Sequence, residues 1–295
     1  MSRWLITGAG GALGSVLLRQ LTEAGHDAIG IVSPTGPIPH VGRTVRLDLL
    51  RADDVARAVE TLAPSRIVHA AALTHVAGAF HDPEGAQRIN VGATGSLAAL
   101  AADAGIRFAL VSTEMVFDGE HAPYDEASPC DPTTVYGRSK LAAEQITLTG
   151  DGANDVVVRL PLLYGFPAVD RNTTFGLQVR ALQSGTPLRL FEDEVRSPLW
   201  LEDAAAAITT VVQSDYTGVI HAAGPEPLTR VNMGRLLARN LGLSDLAIIA
   251  ASRSTADDPE PRPRDLTVSS GRYIARFGVR PGRPMAEALA AAFAR

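Results

Sequence analysis

Hydrophobic and polar positions follow two alternating rhythms over the first 165 residues. Short apolar runs at 4–7, 28–32, 44–47, 66–70, 108–111 and 156–160 have the length and β-branched content of buried strands. Between them apolar residues recur every three or four positions, as at Val16, Leu17 and Leu21 or Val55, Val59 and Leu62, which is the period of one helix face. Asp53 and Asp54 mark one helix start, and Asp82-Pro83-Glu84 gives another a cap, a first-turn proline and an acid. Six strand–helix alternations without hairpin signals predict an α/β fold with a doubly wound, Rossmann-type parallel sheet.

Beyond residue 165 the rhythm changes. The pattern predicts helices near 174–183, 201–213, 230–241, 270–277 and 285–294, with short extended pieces after Pro187, at 195–200 and at 246–250. A strand over 217–223 would return to the main sheet, and the stretch 257–265, rich in proline, arginine and acid, reads as an ordered loop or a flap. The expected organisation is a dinucleotide-binding domain over 1–165 and a smaller substrate-binding region over 166–295, with parts near 195–223 rejoining the sheet.

In a doubly wound sheet ligands bind outside the carboxyl ends of the strands. The first strand runs into Gly8-Ala9-Gly10-Gly11-Ala12-Leu13-Gly14 and then a helix, the context in which glycines allow a tight turn and a helix start faces a pyrophosphate. Gly8, Gly11, Ala12, Leu13 and Gly14 are therefore cofactor candidates. The second strand ends at Ser33, where an acidic residue would bind the adenosine ribose and repel a 2′-phosphate. Its absence leans towards NADPH over NADH, although no arginine follows directly and Arg43 lies along a Pro/Gly-rich loop. Asp48 and Leu49 are expected on the adenine side. Ala70, Ala71 and Ala72 let a flat ligand lie against backbone, and Asn90 and Pro161 complete the expected cofactor set.

One chemical pair stands out among the remaining residues. Tyr136 and Lys140 are four apart on a predicted helix, hence on one face. A cation within about 4–6 Å of a phenol favours the phenolate and lowers its pKa, so Lys140 is expected to bring Tyr136 nearer a working proton donor.

Composition narrows the field. Lys plus Arg number 27 against 32 Asp plus Glu, a net charge of −5, which argues against nucleic-acid or acidic-membrane partners. An apolar fraction of 46% with 20% charged residues reads as globular, and the single Cys130 excludes an internal disulfide. With no leader pattern and no bilayer-length apolar run, the expected location is cytoplasmic. No metal is expected: the histidines are scattered, and His75, His81 and Asp82 read as a solvated loop. There is also no G-x-S-x-G nucleophile elbow.

The chain resembles the extended short-chain dehydrogenase/reductases. Within them it is similar to the dTDP-4-dehydrorhamnose reductase group and its relative, the regulatory beta subunit of methionine adenosyltransferase. The resemblance is carried by Thr7-Gly8-Ala9-Gly10-Gly11-Ala12-Leu13-Gly14, Ser112-Thr113-Glu114-Met115-Val116-Phe117-Asp118-Gly119, Tyr136-Gly137-Arg138-Ser139-Lys140-Leu141, Arg159-Leu160-Pro161-Leu162-Leu163-Tyr164-Gly165 and Arg262-Pro263-Arg264-Asp265. It implies Thr113, Tyr136 and Lys140 as catalytic residues: hydride passes from the nicotinamide to a ketone carbon, Tyr136 donates the proton, Thr113 bonds the carbonyl oxygen and Lys140 holds the ribose. It further implies a nucleotide-sugar substrate, with Thr74, Val76, Thr113, Glu114 and Arg196 as its contacts, and a homodimer as the expected assembly.

Departures from the family fall on the substrate side. Leu73-Thr74-His75-Val76-Ala77-Gly78-Ala79-Phe80 keeps Thr74 and Val76 but has Ala, Gly and Phe at three commonly charged positions. Leu162-Leu163 replaces a common tryptophan, and Glu114 stands where aspartate is usual. Two alternatives remain open: a non-catalytic, NADP-binding regulatory subunit of a partner enzyme, and a sugar-nucleotide epimerase or dehydratase using tightly held NAD.

Overall fold

The computed structural model describes residues 2–150 and 154–294. Its centre is a parallel sheet of seven strands: β1 (Arg3–Thr7), β2 (Asp27–Val32), β3 (Arg43–Arg46), β4 (Arg66–His69), β5 (Arg107–Thr113), β6 (Val156–Leu160) and β7 (Gly218–His221). The order is β7-β6-β5-β4-β1-β2-β3, so the direction in which successive strands are laid down reverses between β1 and β4 and opens a crevice there. This is the predicted doubly wound α/β sheet.

Strand periodicity explains the two layers. Trp4 and Ile6 of β1, with Val156 and Val158 of β6, face one side and pack beneath helices α1 (Ala12–Glu23) and α5 (Leu201–Gln213). Leu5 and Val157, one residue out of phase, face the other side, under α2 (Ala52–Leu62), α3 (Ala93–Asp103) and α4 (Val135–Thr149). Both faces are covered, which is why these strands read as continuous apolar runs.

Two expectations are corrected. The alternation of strand and helix fails once, because β2 and β3 are joined by a loop over 33–42 with no helix. Five prolines or glycines in that loop, at Pro34, Gly36, Pro37, Pro39 and Gly42, disfavour a helix, and a close neighbour strand needs none. The helix expected from Asp82 is also not uniform. Pro83–Ala86 passes into a π-helical turn, Gln87–Gly92, before α3, and a further short helix, Val76–His81, precedes it.

Past β6, a third core gathers Tyr164, Phe175, Trp200, Met233, Leu237, Met285 and Leu289. Leu188–Phe191 pairs in parallel with Ile248–Ala251, and Val195–Arg196 pairs antiparallel with Leu228–Thr229. Gly218–His221 pairs with β6 in the main sheet. The stretch 257–265 is irregular but ordered: Glu260 accepts a hydrogen bond from the Val135 backbone N–H at 2.8 Å, seating it on the start of α4. Among the described residues no helix is long and apolar enough to cross a membrane.

Candidate active site

The glycine-rich turn is built so closely that side chains cannot enter it. Gly8 has φ +72°, and a Cβ there would lie 2.7 Å from the Ala71 backbone nitrogen. A Cβ on Gly14 would lie 2.2 Å from the Gly8 carbonyl oxygen. The start of α1 has no side-chain cap, so no side chain occupies its first N–H groups, the end of a helix where an anion is favoured. Gly8, Gly11, Ala12, Leu13 and Gly14 thus form one cradle against Ala70 and Ala71, with Ala72 next in the chain. A dinucleotide pyrophosphate fits this cradle.

On the adenosine side, Ser33 follows β2 and is exposed. Asp48 accepts from the Leu50 backbone N–H at 3.0 Å, and Leu49 packs into the core under α2. The parallel register puts Arg43 at the opposite end of β3, beside Ile29, where it pairs with Asp27. Arg46 is the arginine at the correct end. It lies opposite Val32, and its Nη1 donates to the carbonyls of Ser33, Pro34 and Gly36 at 3.1, 2.7 and 3.0 Å. Sequence reasoning missed it because a residue thirteen positions beyond Ser33 is its neighbour only through the strand pairing.

On the reaction side, β5 ends at Thr113 and α4 brings Tyr136 and Lys140 beside it. Thr134 caps α4 by accepting from the Gly137 N–H at 3.0 Å, which fixes the helix start one residue before the tyrosine's turn. The Tyr136 phenol lies beside Thr113, and its ring packs with Val76, Ala79 and Met115. Burial pushes the Tyr136 phenol up to about 12, with Thr113 opposing the rise and Glu114 adding to it. The expectation that Lys140 lowers this pKa is therefore corrected: loss of water outweighs any neighbouring cation. Lys140 is itself buried and lowered to about 8 by desolvation, while Glu144 one turn on pulls it upward.

Behind these residues runs a polar network that the sequence only partly signalled. His69, at the end of β4, bonds Thr7 Oγ1 at 2.7 Å and Thr94 Oγ1 at 3.0 Å. Burial, with Lys140 adding to it, lowers the His69 pKa to about 3, so the ring is neutral. Asn90, expected against the cofactor, is placed differently. Its amide accepts from the Leu73 N–H at 2.7 Å and donates to Ser139 Oγ at 2.9 Å, bracing the Leu73 loop against α4 from within the π-turn. Glu144 grips Arg159 of β6 through contacts of 2.7 to 3.1 Å and also bonds Ser112. A His or Arg inside an apolar strand run requires buried partners, and that was the available signal.

On the substrate side, Glu114 is buried beside Arg196, 3.2 Å from its Nε, and its second carboxylate oxygen has no partner among the described residues. Burial raises the Glu114 pKa to about 8, opposed by Arg196. Arg196, Arg230 and Arg262 surround Glu194 at 3.4, 3.7 and 3.0 Å, an arginine-rich cluster next to Thr113. Pro161 is buried just after β6, Val76 packs towards Tyr136, and Thr74 is exposed on the loop between β4 and Val76. Glu194 and Arg230 had not been singled out, since their spacing in the chain gives no hint of this assembly.

A parallel sheet with a glycine cradle at one side of its crevice and a buried Thr-Tyr-Lys set at the other defines a dinucleotide-dependent oxidoreductase of the short-chain type. The chain belongs to the family described as the RmlD substrate binding domain, whose model matches residues 2–295. A relative from Mycobacterium tuberculosis named dTDP-4-dehydrorhamnose reductase is 32% identical, over 99% of this chain and 92% of its own. The methionine adenosyltransferase 2 subunit beta of Rattus norvegicus is 28% identical over 85% of this chain and 78% of its own. Among solved structures, a dTDP-4-dehydrorhamnose reductase from Bacillus anthracis in complex with NADP superposes with a TM-score of 0.87 at 21% identity, covering 99% of both chains.

Proposed function

We propose that this chain is an NADPH-dependent reductase of the 4-keto group on a nucleotide-linked deoxysugar. The observation that carries the reading is the placement of Tyr136 beside Thr113, one turn from Lys140, at the carboxyl end of the sheet that also holds the glycine cradle. The relatives named dTDP-4-dehydrorhamnose reductase supply the substrate class.

A bound nicotinamide supplies the hydride. The chain's residues do the rest. Tyr136, whose phenol keeps its proton far above neutral pH, holds that proton for the ketone oxygen, and Thr113 orients the same oxygen by hydrogen bonding. Lys140, charged at pH 7, favours the negative charge that develops there and holds the ribose. Arg196, Arg230 and Arg262 offer guanidinium donors to the substrate's diphosphate, with Glu194 holding them in place. The region over 166–295 is the substrate-binding part, and Thr74 and Val76 line the approach to Tyr136.

The test is NADPH oxidation against a panel of nucleotide-linked 4-ketosugars. Turnover with at least one dTDP-linked member supports the reading, and none with any member defeats it. A second reading is favoured by the similarity to the methionine adenosyltransferase subunit: a cofactor-binding regulatory partner. It requires stable association with a methionine adenosyltransferase catalytic chain and no turnover on the panel.

A further inference from the structure

We infer that Arg46, together with Ser33, reads the 2′-phosphate of the adenosine ribose and so sets the preference of this chain for NADPH over NADH. The inference rests on the reductase reading for the identity of the dinucleotide, and gives the cofactor choice a residue.

The position follows from the sheet. In a dinucleotide fold the adenosine ribose lies over the end of the second strand, where an acid selects the free 2′-hydroxyl and an arginine nearby accepts a phosphate. Here that end is Ser33, an exposed hydroxyl without charge. The turn from Ser33 to Gly36, closed by a Gly36 N–H to Ser33 carbonyl bond of 3.0 Å, flanks the glycine cradle. A Cβ on Gly10 would sit 2.6 Å from the Pro37 carbonyl oxygen, so the turn and the cradle touch.

Arg46 is pinned to this turn in one orientation. Nη1 donates to three carbonyls of the turn, at Ser33, Pro34 and Gly36. Nε and Nη2, which form the side-on edge of a guanidinium, have no hydrogen-bond partner among the described residues. No carboxylate pairs with Arg46 among them either, whereas Arg43 is paired with Asp27 at 3.2 Å. A planar cation anchored by one nitrogen, with its bidentate edge free, is the arrangement that recognises a phosphate. Its side chain is pre-ordered by the turn, so little rotamer freedom is lost on binding.

The test is calorimetric titration of the protein with NADPH and with NADH, which needs no substrate and no turnover. For Arg46→Ala the expected result is at least a tenfold weaker NADPH affinity with NADH changed less than twofold. Ser33→Asp, which places an anion at the same spot without touching the arginine anchor, should also weaken NADPH at least tenfold and leave NADH within twofold or tighter. Arg43→Ala removes the same charge from the far end of β3 and should leave both affinities unchanged. The inference is overturned if Arg46→Ala weakens both cofactors equally or neither, if Arg43→Ala reproduces its effect, or if the unaltered protein binds NADH more tightly than NADPH. Failure of the reductase reading would look different: no turnover on the ketosugar panel with either cofactor, while the shift in the NADPH-to-NADH ratio remains.

Discussion

Glu144 stands one helical turn beyond Lys140 on α4, and both are almost wholly buried, at 2% exposure each. The carboxylate holds Arg159 on β6 while its charge works against the desolvation that lowers Lys140. The same carboxylate therefore fastens the helix to the sheet and keeps the lysine charged near neutral pH. Glu144→Ala would leave Arg159 buried without its anion, an uncompensated charge that costs about 3–5 kcal/mol. Urea unfolding should register that loss. Glu144→Gln should lose less, because its amide oxygen can still accept from Arg159.

The pH dependence follows from the same pair. Folded Lys140 releases its proton near 8, against 10.5 for the free side chain. Between those values the unfolded chain binds more protons, so this residue makes stability rise with pH across that window. Activity should move the other way. If charged Lys140 supports the forming alkoxide, kcat/KM for reduction is level below about pH 8 and falls above it. Glu114 is also raised to about 8 and is the rival source of such a limb. Glu114→Gln cannot titrate, so the limb should persist in that variant. Its disappearance would assign the limb to Glu114 instead.

The glycine cradle makes a steric prediction. Gly14→Ala forces a methyl to within 2.2 Å of the Gly8 carbonyl oxygen, so the turn and the start of α1 must separate. Overpacking of this kind costs about 1–3 kcal/mol, and the shift misplaces the N–H groups meant for the pyrophosphate. Titration should show NADPH affinity falling more than tenfold for a protein that is still folded by circular dichroism. Unchanged affinity would remove the cradle from the cofactor site.

Legibility in the sequence tracked how local each feature is. The strands, α1 and α5 were readable because periodicity and glycine act within a few residues. Tyr136 and Lys140 were readable as one helix face. The loop between β2 and β3 was readable from its prolines and glycines, but the pairing that sets Arg46 opposite Val32 was not, because register is fixed only by the fold. Nor was the elevated Tyr136 pKa readable, because spacing gives the neighbour and not the burial, and burial dominated. The Glu114, Glu194, Arg196, Arg230 and Arg262 cluster draws on segments far apart in the chain, joined only by the fold.

The central claim is that Tyr136 gives its proton to a substrate ketone, and Tyr136→Phe measures it most directly. The variant keeps the ring that packs with Val76 and Ala79 and removes only the hydroxyl. With NADPH and the best 4-ketosugar of the panel, turnover should fall by about 10²–10⁴, the usual contribution of general acid catalysis, while calorimetry shows NADPH binding unchanged. Turnover equal to that of the unaltered protein would contradict the assignment.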